Sequence, residues 1–200
     1  MPLMETRKRI LKRLSLICAC LLALSFRIAS EKQFTIVDYL TLIPEKYLGF
    51  ENATIPTAER LAMIEIDDRA NGWLELTGRG GNAFEGWIEI ALFSKGPAGP
   101  MLGITVNQCG PLCQQQVFFL HYALGNWEEI TAKVFQPLPA DKVKALYGAN
   151  FPGDEFADDP PVLYRLPRHG TDIVLVTQEA IVGNEVVLAR LRLKNGRFLL

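Results

Sequence analysis

Two cysteines separated by three residues carry the most distinctive chemical signature of this 200-residue chain. Cys109 and Cys113 flank the turn-forming sequence Gly-Pro-Leu, with β-favouring residues on both sides. In an oxidising compartment, two cysteines at the ends of opposing strands can form a disulfide that closes the turn. Closure of so small a loop removes little chain entropy, so we expect a Cys109–Cys113 disulfide that rigidifies the turn.

Thiol redox chemistry and copper binding are the alternatives for this pair. A thioredoxin-type redox cysteine has its pKa lowered at a helix N-terminus, whereas the residues that follow Cys113 favour a strand. Together with a histidine, the pair could also bind copper. His121 lies eight residues beyond Cys113, more than about 20 Å along a strand, and His169 could approach only through a fold-back. We therefore predict no metal site and keep a thiol-redox or metal-handling protein as the alternative function.

The tripeptide Arg168-His169-Gly170 matches the nucleophile motif of histidine phosphatases. In those enzymes the motif ends an early strand, and further catalytic residues follow in a large α/β domain. Here about 30 residues follow, and the other histidine, His121, precedes the motif. We interpret Pro167–Thr171 as a turn.

Acidic residues cluster at Asp67-Asp68, at Asp154-Glu155 and at Asp158-Asp159. None of these clusters has the spaced ligands and distal Glu of a calcium loop, so we expect solvated loop charge, with weak cation binding as the alternative. No carboxylate spacing indicates glycoside chemistry, and no serine lies in a Gly-x-Ser-x-Gly elbow. We predict no catalytic residues and no cofactor.

The elements that position these residues are mostly short strands. Alternating apolar residues bounded by turn sequences predict eight of them. They are Trp73–Thr77, Gly86–Ser94, Met101–Cys109, Cys113–Tyr122, Trp127–Thr131, Ile173–Gln178, Glu185–Leu193 and Arg197–Leu200.

Helices are predicted in two parts of the chain. Near the N-terminus, Thr35 and Asp38 form a capping pattern, Pro44 ends the first helix, and a second helical stretch occupies Pro56–Ile64. A further helix near Asp141–Tyr147 interrupts the strands. The fold class is therefore α+β, mainly an antiparallel meander sheet with short N-terminal helices and one connecting helix.

The three central strands can be placed in register. The three-residue turn sets the two cysteines opposite each other and Ile104 opposite Phe118, and the preceding hairpin is expected to set Ile90 opposite Val106. One face then collects a continuous apolar set. Its members are Ile88, Ile90, Leu92, Leu102, Ile104, Val106, Phe118, Leu120 and Tyr122.

The opposite face of these strands is mixed in polarity and too apolar for plain solvent surface. We interpret it as covered by the N-terminal helices, with Phe93 and Phe119 shielding Gly103. The alternative is an open ligand or partner face built on Trp87, Phe93 and Phe119, with His121 in its last row.

The N-terminus reads as an export signal. Five basic residues lie within the first 13 positions and precede the apolar stretch Leu14–Phe26, which is too short to span a bilayer but typical of a signal peptide. We predict a signal peptide over residues 1–30 and a single domain over residues 31–200. An uncleaved anchor and lipidation at Cys20 are the alternatives.

The predicted mature domain is acidic. Beyond residue 30 the chain carries 15 basic and 21 acidic residues, a net charge of −6. Phosphate-backbone binding needs clustered cations, and no Lys/Arg stripe is present, so nucleic acid is not an expected partner.

A longer pattern supports export. Gly103–Cys113, followed by Val117–Phe119 and Asn126–Ile130, resembles a family of uncharacterised exported bacterial proteins. In that family a strand leads into a Cys-x-Pro-x-Cys turn, then an aromatic-rich strand, then a Trp at the head of the next. Leu42–Leu48 is similar to the mature N-terminus of that family. The resemblance implies export and the hairpin, and no particular activity.

Together these observations predict a periplasmic or secreted, non-catalytic binding protein. Its expected partner is an envelope protein or a small ligand. Contact with a membrane is expected only through an uncleaved leader.

Overall fold

The computed structural model describes residues 34–50, 53–78, 86–109, 113–177 and 185–200. Contacts divide the chain into two units, Met1–Phe34 and Thr35–Leu200, and the second is the one described below. The predicted signal peptide, including the proposed lipidation position Cys20, lies outside the described residues.

The described residues form three helices, three 3-10 turns and twelve strands. The helices are α1 (Ile36–Leu42), α2 (Thr131–Val134) and α3 (Ala140–Asn150), and the 3-10 turns are Glu45–Tyr47, Arg60–Met63 and Glu155–Asp158. The strands are β1 (Gly49–Phe50), β2 (Ala53–Thr54), β3 (Ile64–Asp68), β4 (Trp73–Thr77), β5 (Gly86–Gly96), β6 (Gly99–Cys109), β7 (Cys113–Ala123), β8 (Asn126–Glu129), β9 (Val162–Arg165), β10 (Ile173–Thr177), β11 (Val187–Lys194) and β12 (Arg197–Leu199).

The strands form two main antiparallel sheets. β3 to β8 make a six-stranded meander in chain order, and β9 to β12 make a four-stranded sheet in the order β12-β11-β10-β9. β1 and β2 form a separate pair. The prediction of a mainly antiparallel, sheet-rich α+β fold is confirmed.

The register of β6 with β7 is the predicted one, with Ile104 opposite Phe118 and the two cysteines opposite each other. The predicted register of β5 with β6 is wrong by two residues, because Ile90 lies opposite Ile104 rather than Val106. A bulge at Ser94 and Lys95 accommodates one extra residue on β5. A slip of two residues leaves every side chain on its own face, so the predicted apolar face survives.

The apolar face of the six-stranded sheet packs against α1 and the segment that follows it. Thr35 and Asp38 form the predicted capping box at the start of the helix, and the helix ends at Leu42, just before Pro44. The buried residues of this first core are Ile36, Leu40, Ile43, Tyr47, Leu48, Ile55, Met63, Leu74, Leu76, Ile88, Ile90, Leu102, Ile104, Val106 and Leu120.

The mixed face of the six-stranded sheet packs against the four-stranded sheet. The expectation that the N-terminal helices cover this face is therefore wrong. The buried residues of this second core are Trp73, Ala91, Phe93, Met101, Phe119, Ile130, Val134, Phe135, Tyr147, Tyr164, Leu166, Ile173, Leu175, Leu188, Ala189, Leu191 and Phe198.

Two local expectations are wrong and one is confirmed. The helix predicted to run through Ile64 is a 3-10 turn that ends at Met63, and Ile64 begins β3. The strand predicted to reach Thr131 ends at Glu129, and α2 follows. β1, β2 and β9 lie where no strand was predicted. The connecting helix predicted near Asp141–Tyr147 is present as α3.

Candidate functional site

The predicted open binding face is closed at its centre. Phe93 and Phe119 are buried, and their rings lie 5.4 Å and 5.1 Å from the ring of Phe198 in the four-stranded sheet. A Cβ at Gly103 would lie 2.9 Å from Phe93 and 3.0 Å from Phe119, so the two rings do shield this glycine. These phenylalanines therefore belong to a core and not to an open binding face.

Trp87 and His121 lie at opposite ends of the mixed face. Trp87 is paired with Asn107, whereas His121 is paired with Met101 three rows away, about 20 Å along the strands. The Nδ1 atom of His121 lies 2.9 Å from the carbonyl oxygen of Pro100. The fold does not bring Trp87 and His121 together into one site.

The most polar place between the two sheets is centred on Glu89, which has no exposed surface. Its carboxylate accepts hydrogen bonds from the backbone N–H of Leu166 at 2.8 Å, from Thr105 Oγ1 at 3.2 Å and from Arg165 Nε. Burial raises the pKa of Glu89, opposed by the charge of Arg165 and by these hydrogen bonds. The carboxylate of Glu89, on the six-stranded sheet, thus binds Arg165 and Leu166 from the segment of β9, and it joins the two sheets.

Arg165 connects this buried carboxylate to the surface. Its guanidinium group also pairs with Glu185 and approaches Glu75 at 3.8 Å, and it lies 5.8 Å from the ring centre of Trp87. Burial alone would lower the pKa of Arg165, but the surrounding carboxylates raise it. Burial also raises the pKa of Glu75, with Arg165 acting in the opposite direction.

Gln115 of β7 makes a second polar contact between the two sheets. Its side-chain amide donates to the carbonyl of Tyr164 and accepts from the N–H of the same residue, both at 2.8 Å. It also donates to Asn107 Oδ1 at 2.7 Å. β9 is an edge strand, and unpaired edge groups attract other strands unless they are covered. Gln115 and Glu89 cover this edge, which gives the polar centre a structural role.

The Arg-His-Gly motif also has a structural role. Arg168 Nε donates to Asp68 at 2.6 Å, and the guanidinium group lies 5.7 Å from the ring centre of Trp73. His169 is exposed in a bend, so the interpretation of this segment as a turn is confirmed. Asp67 and Asp68 were expected as solvated loop charge, but they end β3, and Asp67 pairs with Arg69.

Cys109 and Cys113 are direct partners in the β6–β7 ladder. Their side chains lie outside the described part of the structure, so the disulfide stays a prediction. Cys113 begins a strand and not a helix, which removes the dipole that would activate a redox thiol. Within the described residues, no group of three or more His, Cys, Asp or Glu side chains could hold a metal ion.

Two hairpins of the domain share one turn geometry but differ in sequence. The β7–β8 turn has φ values of 52° at Leu124 and 81° at Gly125, and the β11–β12 turn has 50° at Asn195 and 75° at Gly196. Positive φ at both central residues defines the type I′ turn, which favours Asn, Asp or Gly at its first position. Asn195 follows this preference. Leu124 does not, and its side chain is 100% exposed.

An aromatic cluster supports the turn that carries Leu124. Tyr122 and Trp127 pair across the hairpin with ring centres 4.8 Å apart, and Tyr39 of α1 lies 6.0 Å and 5.8 Å from them. Trp127 Nε1 donates to the carbonyl of Leu42 at 2.8 Å, and the Leu42 side chain is 41% exposed. We call Leu42, Leu124 and Trp127 the hairpin-tip surface.

Buried Arg60 fixes the end of α1 that contributes to this surface. Its Nη1 donates to the carbonyls of Leu40 at 2.9 Å and Ile43 at 2.6 Å, and its Nε donates to Ile55 at 3.4 Å. A cation at a helix C-terminus satisfies carbonyls that have no partner within the helix. Leu42 is therefore presented from a firmly held backbone.

Comparisons with protein-family models, with curated proteins and with solved structures each found no match for this chain. The resemblance to exported bacterial proteins therefore stays a prediction. Of the helices in the described ranges, none has both the length and the apolar character required to cross a membrane.

Proposed function

We propose that this chain is an exported, non-catalytic interaction protein that docks a macromolecular partner through the hairpin-tip surface. The observation that carries the proposal is Leu124, an apolar side chain held fully exposed in a left-handed backbone conformation. The predicted leader supplies the expectation of export, which makes an envelope protein the expected partner.

Leu124 is costly to the isolated domain. A left-handed conformation costs an L-residue with a side chain roughly 1–2 kcal/mol. The exposed side chain also forgoes the roughly 1.5–3 kcal/mol that burial of a leucine contributes. Asn195 shows that the chain uses a better residue in the same turn elsewhere. Docking of the tip into an apolar site on a partner would recover the burial free energy.

The surroundings of Leu124 suit a contact between macromolecules. Trp and Tyr are enriched at interfaces because they combine a large apolar surface with a polar end. The mutual contacts of Tyr39, Tyr122 and Trp127 hold the base of the hairpin in place, which lowers the entropic cost of binding. Small-molecule sites are concave, whereas Leu124 projects from a turn, so a macromolecule fits better than a small ligand.

The test uses the full-length chain as bait and measures how much of the partner it recovers from the native envelope. We expect Leu124→Asn to lower the recovery of a specific partner by at least about tenfold, as removal of an interface anchor does. Asn195→Leu is the matched control, because it exchanges the same residue types in the other type I′ turn and should leave recovery unchanged. Equal recovery with wild type and Leu124→Asn contradicts the proposal.

A further inference from the structure

The β7–β8 hairpin that carries Leu124 also carries exposed acidic side chains. Glu128 and Glu129 lie on β8 and are exposed, and Glu128 is three rungs below the turn, about 10 Å from the tip. Successive residues of a strand point to opposite faces, so the two carboxylates would meet opposite sides of the edge of a socket that accepts Leu124.

Glu128 forms an ion pair with a lysine of the following helix, α2. The hydrogen bond from Lys133, aided by the charges of Lys133 and His121, lowers the pKa of this carboxyl. The pair with Lys133 is solvent-exposed, with 62% of the lysine side chain and 55% of the glutamate side chain accessible. Exposed pairs contribute little free energy, so a cation on a partner can compete with Lys133 for Glu128.

The net charge of the whole domain also favours a basic partner. The predicted mature chain has a net charge of −6. Complementary charge at an interface accelerates encounter and selects partners, whereas like charge repels. Anionic lipid surfaces attract basic segments, so the acidic hairpin disfavours a bilayer as the occupant.

We infer that the hairpin tip docks into an apolar socket on a partner protein whose rim is basic, with Leu124 in the socket and Glu128 and Glu129 facing the rim. This inference rests on the proposed function and adds the chemistry of the partner.

The test places a photoreactive benzoylphenylalanine at position 124 of the full-length chain and irradiates it in the native envelope fraction. Position 195 carries the same probe as a control. We expect a protein adduct from position 124 whose yield falls about tenfold as salt is raised from about 50 mM to about 500 mM. Glu128→Gln with Glu129→Gln should lower the yield at low salt several-fold. Glu155→Gln with Asp158→Asn makes the same change in net charge outside the hairpin and should leave the yield unchanged.

Each other outcome has a distinct meaning. A protein adduct that is insensitive to salt and to both hairpin glutamates overturns the basic rim but leaves the proposed function standing. No adduct specific to position 124 overturns both. A lipid adduct, together with a salt-insensitive blue shift of Trp127 fluorescence on vesicles of phosphatidylethanolamine and phosphatidylglycerol, identifies a bilayer and overturns the protein partner.

Discussion

Gln115 binds Tyr164 as a neighbouring strand would, donating to its carbonyl and accepting from its N–H. The two residues are 49 positions apart and belong to different sheets. One side chain thus replaces the missing ladder partner of the edge strand β9. Because this contact joins the sheets, it should contribute to the stability of the whole domain.

Gln115→Leu should lower the free energy of unfolding by about 2–4 kcal/mol, because it leaves the N–H and carbonyl of Tyr164 without partners. Gln114→Leu is the matched control on the same strand, where the side chain is exposed, and it should change stability by less than about 0.5 kcal/mol. Urea unfolding of the two variants measures the difference. Equal effects would show that the contact contributes nothing specific.

Glu89→Gln should be strongly destabilising. The substitution removes the buried charge and introduces an amide N–H₂ among three donors, from Thr105, Arg165 and Leu166. Loss of one partner of a buried pair costs about 3–5 kcal/mol. Glu185→Gln removes the exposed partner of the same arginine and should cost less than about 1 kcal/mol. Thermal or urea unfolding would contradict this account if the two variants were equally stable.

Glu75 and Asp68 predict opposite dependences of stability on pH. Burial raises the pKa of Glu75 above its ordinary value of 4.5, so its contribution to stability is fully present below pH 4.5 and is lost as the pH rises through the folded-state pKa. The hydrogen bond from Arg168 lowers the pKa of Asp68 below 3.8. The contribution of Asp68 is therefore present above pH 3.8 and is lost as the pH falls through the lowered value.

The corresponding variants separate these two effects. Relative to wild type, Glu75→Gln should gain stability as the pH rises from about 4 to about 7, and Asp68→Asn should gain stability as the pH falls from about 4 to about 2. Urea midpoints measured across this range give both differences. Differences that change in the same direction with pH would show that one of the two assignments is wrong.

The ladder position of Cys109 and Cys113 leads to a test of the predicted disulfide. Mass spectrometry of the purified mature chain should show a gain of two hydrogens on reduction. A structural bridge should have a reduction potential below about −300 mV. Free thiols in protein isolated under oxidising conditions would contradict the disulfide.

The sequence predicts the hairpin around the cysteines well because its turn has a fixed length. The three-residue turn sets Ile104 opposite Phe118, and alternation then fixes both faces. The predicted register of β5 with β6 is wrong because nothing in the local sequence indicates the bulge at Ser94 and Lys95. A slip of two residues changes the partners and leaves the faces intact, so the apolar face could be predicted even though its pairing could not.

The layer that covers the mixed face could not be predicted, because the contacts that decide it are distant in the chain. Glu89 and Arg165 are 76 positions apart, and β9 has only four residues. The alternation in Ile64-Glu-Ile66 was a usable signal for β3. Because only four residues separate Tyr122 from Trp127, the sequence also indicated a two-residue turn at Leu124-Gly125. The exposure of the Leu124 side chain is known only from the structure.

The free energy of unfolding of Leu124→Asn, compared with that of Asn195→Leu, tests the central claim most directly. Asn adopts the left-handed conformation more easily than Leu. If Leu124 is kept for docking, Leu124→Asn should stabilise the isolated domain by about 1 kcal/mol, and Asn195→Leu should destabilise it by a similar amount. A loss of stability in Leu124→Asn would show that this leucine supports the fold itself, which contradicts a docking role.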